Sequence, residues 1–529
     1  MKLFRGVRGR LLLGLALFAF VLFPTLSIGA EYKLTLLHTN DHHGHFMKFG
    51  LDVGGLAAQS TLINVVRAEV TGAKDAPGYV IVLSAGDINT GVPESDLLYA
   101  EPDVQLMNLI GYDAMELGNH EFDKPRKVLT QQQEWAKFPF ICANAVKKDT
   151  GEPLVKPYLI KEYDGLKVAI LGLITDQVPI LVLPDHIADL TFKNPIDVAK
   201  EMVPGLKAEA DIVVVLSHLG MHKGGGSEIG DIELAKAVPE IDVIVGGHTH
   251  SKLTAPKRVG NTIIVQAGAY SEYAGRLDLV VDSDANKVTA NTFQLFSVNG
   301  KKPVKLGEKT YYVFAEQGYM EDADVLKATE PYKTKAGDLL AQSIGETLVE
   351  LVGTRKEVRS LETNLGNLIA DAMCAKTGAE IAFINGGGIR ASIPAGKITY
   401  RDVLTVQPFG NTLVTLNMTG EQIMQILNYA ATVRPGSGAF LHVSGLKWTL
   451  NRKTNAAENV RVGQTRLDLK KLYKVVTNNF MAAGGDGYAS FKDLPQYNTN
   501  FVDADAFQEY ISKAGKVEPK VEGRLTIVE

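Results

Sequence analysis

Aspartate, asparagine and histidine side chains recur in four short segments of the first half of the chain, each after a strand-like run or in a glycine-flanked turn. The candidate metal ligands among them are Asp41, His43, Asp87, Asn119, His218, His248 and His250. Nitrogen and oxygen donors without thiolate suit divalent ions such as Mn or Zn better than Ca. Because loops beyond one edge of a sheet can converge, these segments predict a metal centre.

Phosphoester hydrolysis is the chemistry that such a centre would serve. It needs a hydroxide and neutralisation of the negative charge on the phosphate oxygens, and two divalent ions about 3.5–4 Å apart supply both. We predict two ions (Mn, Zn, Co or Mg) bridged by the carboxylate of Asp87. The further ligands are Asp41, His43 and His250 for one ion, and Asn119, His218 and His248 for the other.

His120 and Asp123 lie three residues apart, directly after a predicted ligand. A histidine there can face the substrate phosphate, and an aspartate can fix its tautomer and favour the imidazolium form. We predict that His120 stabilises the transition state or protonates the leaving alkoxide. The alternative is that His120 is a metal ligand. We expect His42, His45 and His222 to be solvated or to support the ligands.

The N-terminus predicts export. Basic residues precede the apolar run 11–23, and small residues precede Glu31, which is the pattern of a cleaved signal peptide. The run is shorter than the roughly 18 residues that span a bilayer, although an uncleaved anchor remains the alternative. We expect residues 1–30 to be removed, leaving a soluble, periplasmic or otherwise exported protein without stable membrane insertion.

The net charge of −5 carries no electrostatic footprint for nucleic-acid polymers, so any phosphate binding must be local. Two cysteines, Cys142 and Cys374, are too few for a disulfide framework, and we expect buried thiols. We expect the chain to act as a monomer.

Short Val/Ile/Leu-dense runs alternate with helical stretches from Tyr32 to about Asp282. This pattern is typical of an α/β domain with buried strands. A second unit, with its own helix and strands, follows a helical stretch rich in Lys, Glu and Ala. We therefore predict an α/β domain over 31–321, a linker helix over 322–342 and a second α/β domain over 343–529.

The strings Gly-Asp-Ile-Asn-Thr-Gly at 86–91 and Gly-Asn-His-Glu-Phe-Asp at 118–123 resemble the calcineurin-like metallophosphatases. Within them the chain is most similar to the 5′-nucleotidase group and its bacterial periplasmic UDP-sugar hydrolases. The resemblance covers essentially the whole mature chain. It implies a layered α/β/β/α metallophosphatase domain and a separate C-terminal α/β nucleotide-binding domain. It also implies cleavage of nucleoside 5′-phosphates and of the pyrophosphate of UDP-sugars.

The second domain carries the group's nucleotide motifs, such as Asn-Gly-Gly-Gly-Ile-Arg at 385–390 and Gly-Gly-Asp-Gly-Tyr at 484–488. The resemblance implies phosphate binding by Arg355, Arg359 and Arg390, base stacking by Phe409 and Phe480, base-edge recognition by Asn411 and ribose binding by Asp486. Arginine forks match phosphate oxygens, and aromatic faces stack on any base. Core packing is the alternative for the two phenylalanines, but both lie in Gly/Pro/Asn-rich turns.

Bacterial members of the group can carry glutamine at the position of His250, which leaves metal preference and UDP-sugar cleavage open. One alternative function is a 2′,3′-cyclic nucleotide phosphodiesterase or sulfur-ester hydrolase on the same scaffold. Another is a non-catalytic nucleotide-binding protein, against which the His120–Asp123 pair counts. Because the predicted metals and base pocket lie on different domains, we expect a closure or rotation after substrate binding, with a hinge near 322–342.

Overall fold

The computed structural model describes residues 31–73, 78–182, 184–222, 229–306 and 309–529. The predicted signal peptide, residues 1–30, lies outside the described residues. In the part of the chain that is described, no helix is both long enough and apolar enough to cross a membrane.

Two six-stranded sheets pack face to face in the N-terminal half. The first has the order Lys287–Ser297, Tyr273–Asp282, Glu31–Thr39, Tyr79–Ser84, Ala114–Glu116, Phe140–Ile141. The second has the order Lys257–Val259, Thr262–Val265, Val243–Gly246, Ile212–His218, Leu166–Ile174, Tyr158–Tyr163. Side chains such as Leu36 and Ile81 of the first sheet meet Val214 and Val243 of the second in a fully buried core. The predicted Val/Ile/Leu-dense strands are confirmed.

Helices cover the outer face of each sheet. Those on the first sheet are Leu56–Thr71, Glu101–Ile110 and Arg126–Trp135; those on the second are Pro195–Glu209 and Asp231–Ala237. Short helical turns complete the half: Pro93–Asp96, Asn119–Phe122, Val178–Leu181 and Pro184–His186. Two small two-stranded sheets pair Ala145–Lys147 with Leu190–Phe192, and Lys301–Leu306 with Lys309–Phe314. The order helix, sheet, sheet, helix is the α/β/β/α layering that the family resemblance implies.

A long helix, Ala323–Leu340, follows the first half and lies within the range predicted for a linker helix. Val325 near its start is buried in the core of the N-terminal half. The helix therefore begins as part of the first domain and leads toward the second. The boundaries at 321, 342 and 343 stay predictions.

The C-terminal half is built on a five-stranded sheet with the order Leu441–Ser444, Ile381–Asn385, Leu472–Asn478, Thr412–Thr419, Gln496–Val502. Smaller sheets contain Thr465–Arg466, Ala456–Val462, Leu446–Asn451 and Leu525–Val528, and Gly396–Thr399, Ser343–Thr347 and Lys516–Val517. The helices and helical turns are Arg355–Val358, Asn364–Thr377, Gly386–Gly388, Tyr400–Val406, Gly420–Thr432, Asn479–Ala482, Gly485–Gly487, Ala489–Phe491 and Asp503–Ala514. Buried clusters on both faces of the main sheet make this a separate α/β domain.

Both cysteines are free thiols. Cys142 is fully buried, as expected, whereas Cys374 is only half-buried. The difference arises because Cys374 lies near the end of the helix Asn364–Thr377, where the chain is closer to the surface.

The two halves touch directly. Arg401 of the C-terminal half forms an ion pair with Glu94, which is buried in the N-terminal half. The turn Val178–Leu181 also packs on the turn Gly485–Gly487. These contacts close the halves over a shared cavity.

Candidate active site

The predicted metal ligands lie at or just beyond the carboxyl ends of neighbouring parallel strands. Five of them have a φ between 50° and 74°: Asp41, His43, Asp87, His248 and His250. Residues other than glycine rarely adopt this left-handed conformation. It costs about 1–3 kcal/mol per residue and persists where surrounding contacts enforce it, commonly at functional sites. The strain is thus concentrated where the sequence predicts chemistry.

Asp41, His43 and His250 form one group whose ligand atoms all lie within 4.8 Å of one another. His43 Nδ1 donates to the carbonyl oxygens of Asn89 and Thr90, at 3.1 and 2.9 Å, so its Nε2 carries a lone pair. That Nε2 lies 3.1 Å from His250 Nε2, which is 3.3 Å from Asp41 Oδ1. Burial, above all, lowers the pKa of His43 well below its usual value, which favours the neutral imidazole that binds metals.

Asp87, His218 and His248 form a second such group. His218 Nδ1 donates to the carbonyl oxygen of Ala85 at 2.6 Å and leaves Nε2 at 3.0 Å from Asp87 Oδ2. His248 Nδ1 lies 2.9 Å from Asn119 Oδ1. Burial lowers the pKa of His248 to about 3, so this imidazole is also neutral near pH 7.

The donor set fits divalent ions. The Nε2 atoms of His43 and His250 face each other at 3.1 Å, close enough to share one proton or to bind the same ion. Asp87 Oδ2 lies 3.0 Å from His218 Nε2 and 3.9 Å from His43 Nε2, so its carboxylate stands between the two groups, where a bridging ligand belongs. Burial raises the pKa of Asp87, but the surrounding histidines outweigh it and hold the group ionised.

His120 stands beside this carboxylate and is held by Asp123. His120 Nδ1 lies 2.5 Å from Asp123 Oδ2, which also accepts from Thr90 Oγ1 at 2.7 Å. Burial lowers the pKa of His120, but the charges of Asp123 and Asp87 outweigh it, so the pKa is raised. His120 also forms a third candidate metal group with His43 and Asp87. It is therefore close enough to the metal ligands either to act on a phosphate bound there or to bind a metal itself.

Glu121 supports the ligand loops, a role that the sequence reasoning missed. Its carboxylate accepts from the backbone N–H groups of Asp87, Ile88 and Gly118 at 2.9, 2.9 and 2.6 Å, and from Asn89 Nδ2 at 3.0 Å. Burial raises its pKa, and these donors oppose that shift. Its place three residues after Gly118, which directly precedes the helical turn Asn119–Phe122, was the available clue, because a glutamate there can accept from the Gly118 backbone N–H.

His42 is a buried support for the ligand loop and is not solvated. Its Nε2 lies 2.7 Å from Asp103 Oδ1, and its Nδ1 lies 2.6 Å from Ser271 Oγ. His45 packs its ring against Tyr270 at 4.8 Å between centroids. These contacts tie the loop that carries the first ligands to two distant segments.

A cavity of about 690 Å³ opens between the two domains. All the predicted site residues line it except Asp41, His43 and His218, which are buried. The rings of His120 and Phe409, from different domains, stack with centroids 6.0 Å apart and planes at 24°. The structure therefore brings the predicted metal ligands and the predicted base pocket together at one cavity.

Three arginines, Arg355, Arg359 and Arg390, bring positive charge to this cavity. Burial, followed by the charges of the other two, lowers the pKa of Arg359 to about 9. Burial and the charge of Arg390 likewise lower the pKa of Arg355. Crowded, buried guanidinium groups are stabilised by an anion, and phosphate matches their fork geometry.

The predicted base and ribose residues lie in the same cavity. Phe409 and Phe480 are half-buried, and Asp486 accepts from Asn385 Nδ2 at 2.6 Å. Tyr429, which the sequence reasoning missed, also lines the cavity and donates to the carbonyl oxygen of Asp486 at 2.7 Å. The half-buried rings are available for stacking and do not belong wholly to the core.

Comparison with known proteins assigns the chain. The calcineurin-like phosphoesterase family matches residues 34–252, and the 5′-nucleotidase C-terminal domain matches residues 343–493. The chain belongs to the 5′-nucleotidase family of calcineurin-like phosphoesterases. The predicted family, fold and class of enzyme, a phosphoric ester hydrolase, are thereby confirmed, and the family implies divalent metals.

Relatives match nearly the whole chain. Protein UshA of Escherichia coli (strain K12) is 40% identical over 516 residues, which cover 93% of this chain and 92% of that protein. A 5′-nucleotidase of Vibrio cholerae is 39% identical over 513 residues, 92% of this chain and 91% of that one. The solved structure of a 5′-nucleotidase precursor from Thermus thermophilus is 32% identical with a TM-score of 0.80, covering 94% of this chain and 99% of that one.

Proposed function

We propose that this enzyme releases phosphate from nucleoside 5′-phosphates and cleaves the pyrophosphate of UDP-sugars. The observation that carries the proposal is the single cavity in which Asp87 and His120 meet Phe409 and Phe480. A nucleotide needs ion-binding groups at its phosphate and aromatic faces at its base, and one cavity offers both. The names of the relatives support the same substrates.

The residues of the chain have separate tasks in this proposal. Two divalent ions, when bound, supply an acidified water and neutralise charge on the phosphate. Arg355 and Arg390 bind phosphate oxygens, and Phe409 and Phe480 hold the base. His120, kept in one tautomer by Asp123, stabilises the charge that develops or donates a proton to the leaving oxygen.

We also propose that the enzyme is exported as a monomer after removal of residues 1–30, and that its domains span 31–321 and 343–529 around the linker 322–342. The apolar run at 11–23 supports export. N-terminal sequencing of the protein from the cell envelope tests it, with Glu31 expected as the first residue. Recovery of the intact N-terminus would contradict cleavage.

The activity test uses the purified mature protein, stripped of metal and resupplied with Mn, Zn, Co or Mg. Phosphate release is measured from AMP, UDP-glucose, a 2′,3′-cyclic nucleotide and a thiosulfate-type ester. We expect release from AMP and UDP-glucose, and loss of turnover in Asp87→Ala. The matched control is Asp149→Ala, at an exposed position of the same domain.

Lack of release from both AMP and UDP-glucose with every metal would refute the proposal. Turnover of the cyclic nucleotide alone would favour the phosphodiesterase alternative. Near-normal activity of Asp87→Ala would refute the bridging role of that carboxylate.

A further inference from the structure

Asp486, for which the family resemblance implies ribose binding, lies in a turn with an uncommon backbone conformation. Its φ is 53°, in the left-handed region that residues other than glycine rarely adopt, although aspartate does so more readily than most. The residue also lines the cavity between the two domains. Such a conformation persists where surrounding contacts enforce it. The contacts of Asp486 therefore decide where its carboxylate lies in the cavity.

A pair of amide side chains holds the carboxylate itself. Asn385 Nδ2 donates to Asp486 Oδ2 at 2.6 Å. Asn385 Oδ1 accepts from Asn478 Nδ2 at 3.2 Å, which fixes the direction in which the Asn385 amide faces. The bond to Asn385 uses one oxygen of a carboxylate that has about four lone-pair sites in all. Asp486 therefore keeps acceptor capacity for the hydroxyl groups of a bound sugar.

Tyr429 holds the main chain of the same residue. Its hydroxyl donates to the carbonyl oxygen of Asp486 at 2.7 Å. Its ring packs edge-on against the buried ring of Tyr488, with centroids 4.8 Å apart and planes at 79°. The hydroxyl also lies against Gly487, where any side chain would collide with it. Tyr429 thus fills the space beside this turn and bonds its backbone.

We propose that Tyr429 is a positioning residue that holds the carboxylate of Asp486 where it accepts from the ribose hydroxyls of a bound nucleotide. The proposal rests on the proposed nucleotide hydrolysis, in which the C-terminal domain holds the nucleoside. The carboxylate and the bonded carbonyl belong to one residue, so a turn that loses the Tyr429 bond displaces both. Recognition of ribose therefore depends on a hydroxyl that is bonded to the protein and not to the sugar.

Tyr429→Phe keeps the ring and removes the hydroxyl. We expect the KM for AMP to rise about 3–10-fold, the size of effect of one lost hydrogen bond. We expect kcat to stay within about twofold, because the ribose is remote from the reacting phosphorus and its contacts are the same in the ground state and the transition state. The KM for 2′,3′-dideoxy-AMP, which lacks both ribose hydroxyls, should be unchanged. A general loosening of the pocket would raise both KM values.

Tyr473→Phe is the matched control. The Tyr473 hydroxyl accepts from the backbone N–H of Asp468 at 3.1 Å, in the same domain and the same core cluster but outside the cavity lining. We expect both KM values of this variant to equal those of the wild type.

A double-mutant cycle separates positioning from direct contact with the substrate. Asp486→Gly removes the carboxylate, and glycine adopts the left-handed conformation without strain. In that background Tyr429→Phe should cause no additional rise in the KM for AMP, because its hydroxyl acts through the carboxylate.

An unchanged KM for AMP in Tyr429→Phe would overturn the proposal. Equal rises for AMP and 2′,3′-dideoxy-AMP, or a further rise in the Asp486→Gly background, would also overturn it. If the wild type hydrolyses neither AMP nor UDP-glucose, the proposed function fails separately. Calorimetric titration of the same variants with AMP and 2′,3′-dideoxy-AMP then gives Kd values that still decide whether Tyr429 acts through Asp486.

Discussion

Glu121→Gln tests whether one carboxylate holds the metal-ligand loops in place. One of its oxygens accepts from the Ile88 N–H and Asn89 Nδ2, and the other from the Gly118 and Asp87 N–H groups. Glutamine keeps the shape but places an NH₂ group where two donors converge. Loss of two charge-assisted bonds at about 1.5–3 kcal/mol each should lower the free energy of unfolding by about 3–6 kcal/mol.

The assay is scanning calorimetry of the metal-stripped protein, followed by titration with Mn²⁺. At about 2–4 °C per kcal/mol for a large domain, the variant should melt at least about 6 °C lower than the wild type. It should also bind Mn²⁺ more weakly, because Glu121 ties together the loops of Asp87 and Asn119. Glu134→Gln, exposed in the same domain, is the control. Melting temperature and Mn²⁺ affinity equal to those of the control would refute this reasoning.

Asp123→Asn should lower the pKa of His120, because the Asp123 charge is one of the two that outweigh burial. In the proposed role His120 acts in its protonated form, so kcat declines as pH rises through its pKa, and in the variant this decline should occur at lower pH. A decline at the same pH as in the wild type would contradict the proposed role of Asp123. Phe480→Leu should weaken AMP binding by about 1–3 kcal/mol, measured through KM. An unchanged KM would mean that the Phe480 ring packs in the core and does not bind the base. Glu94→Gln should weaken the ion pair with Arg401 and raise the KM for AMP without changing Mn²⁺ affinity. A KM equal to that of the wild type would show that this ion pair does not stabilise the closed arrangement of the two domains.

The elements that position the site were predictable because their patterns are local. The predicted Val/Ile/Leu-dense strands form the two N-terminal sheets, and the helix Ala323–Leu340 lies within the range 322–342 predicted for a linker helix. A dense run of β-branched residues favours a buried strand, and the residues after it lie at the sheet edge. The sequence order of strands and loops was therefore enough to predict that candidate ligands such as Asp87 and His218 lie close together.

The supporting residues were not predictable because their roles depend on contacts between distant segments. Glu121 accepts from N–H groups of two loops, and Glu94 forms an ion pair with Arg401 of the other domain. His42 was left open between solvent and support, and only the fold brings Asp103 and Ser271 to its two ring nitrogens. The closed arrangement of the two domains likewise depends on contacts that no local pattern encodes.

A crystal structure with Mn²⁺ and a hydrolysis-resistant AMP analogue is the most direct test of the central claim. We predict two ions about 3.5–4 Å apart with Asp87 between them. We also predict the adenine ring between Phe409 and Phe480, with its phosphate beside Arg390. A single ion, or a base bound outside the shared cavity, would contradict the claim that one site joins metal chemistry to nucleotide recognition.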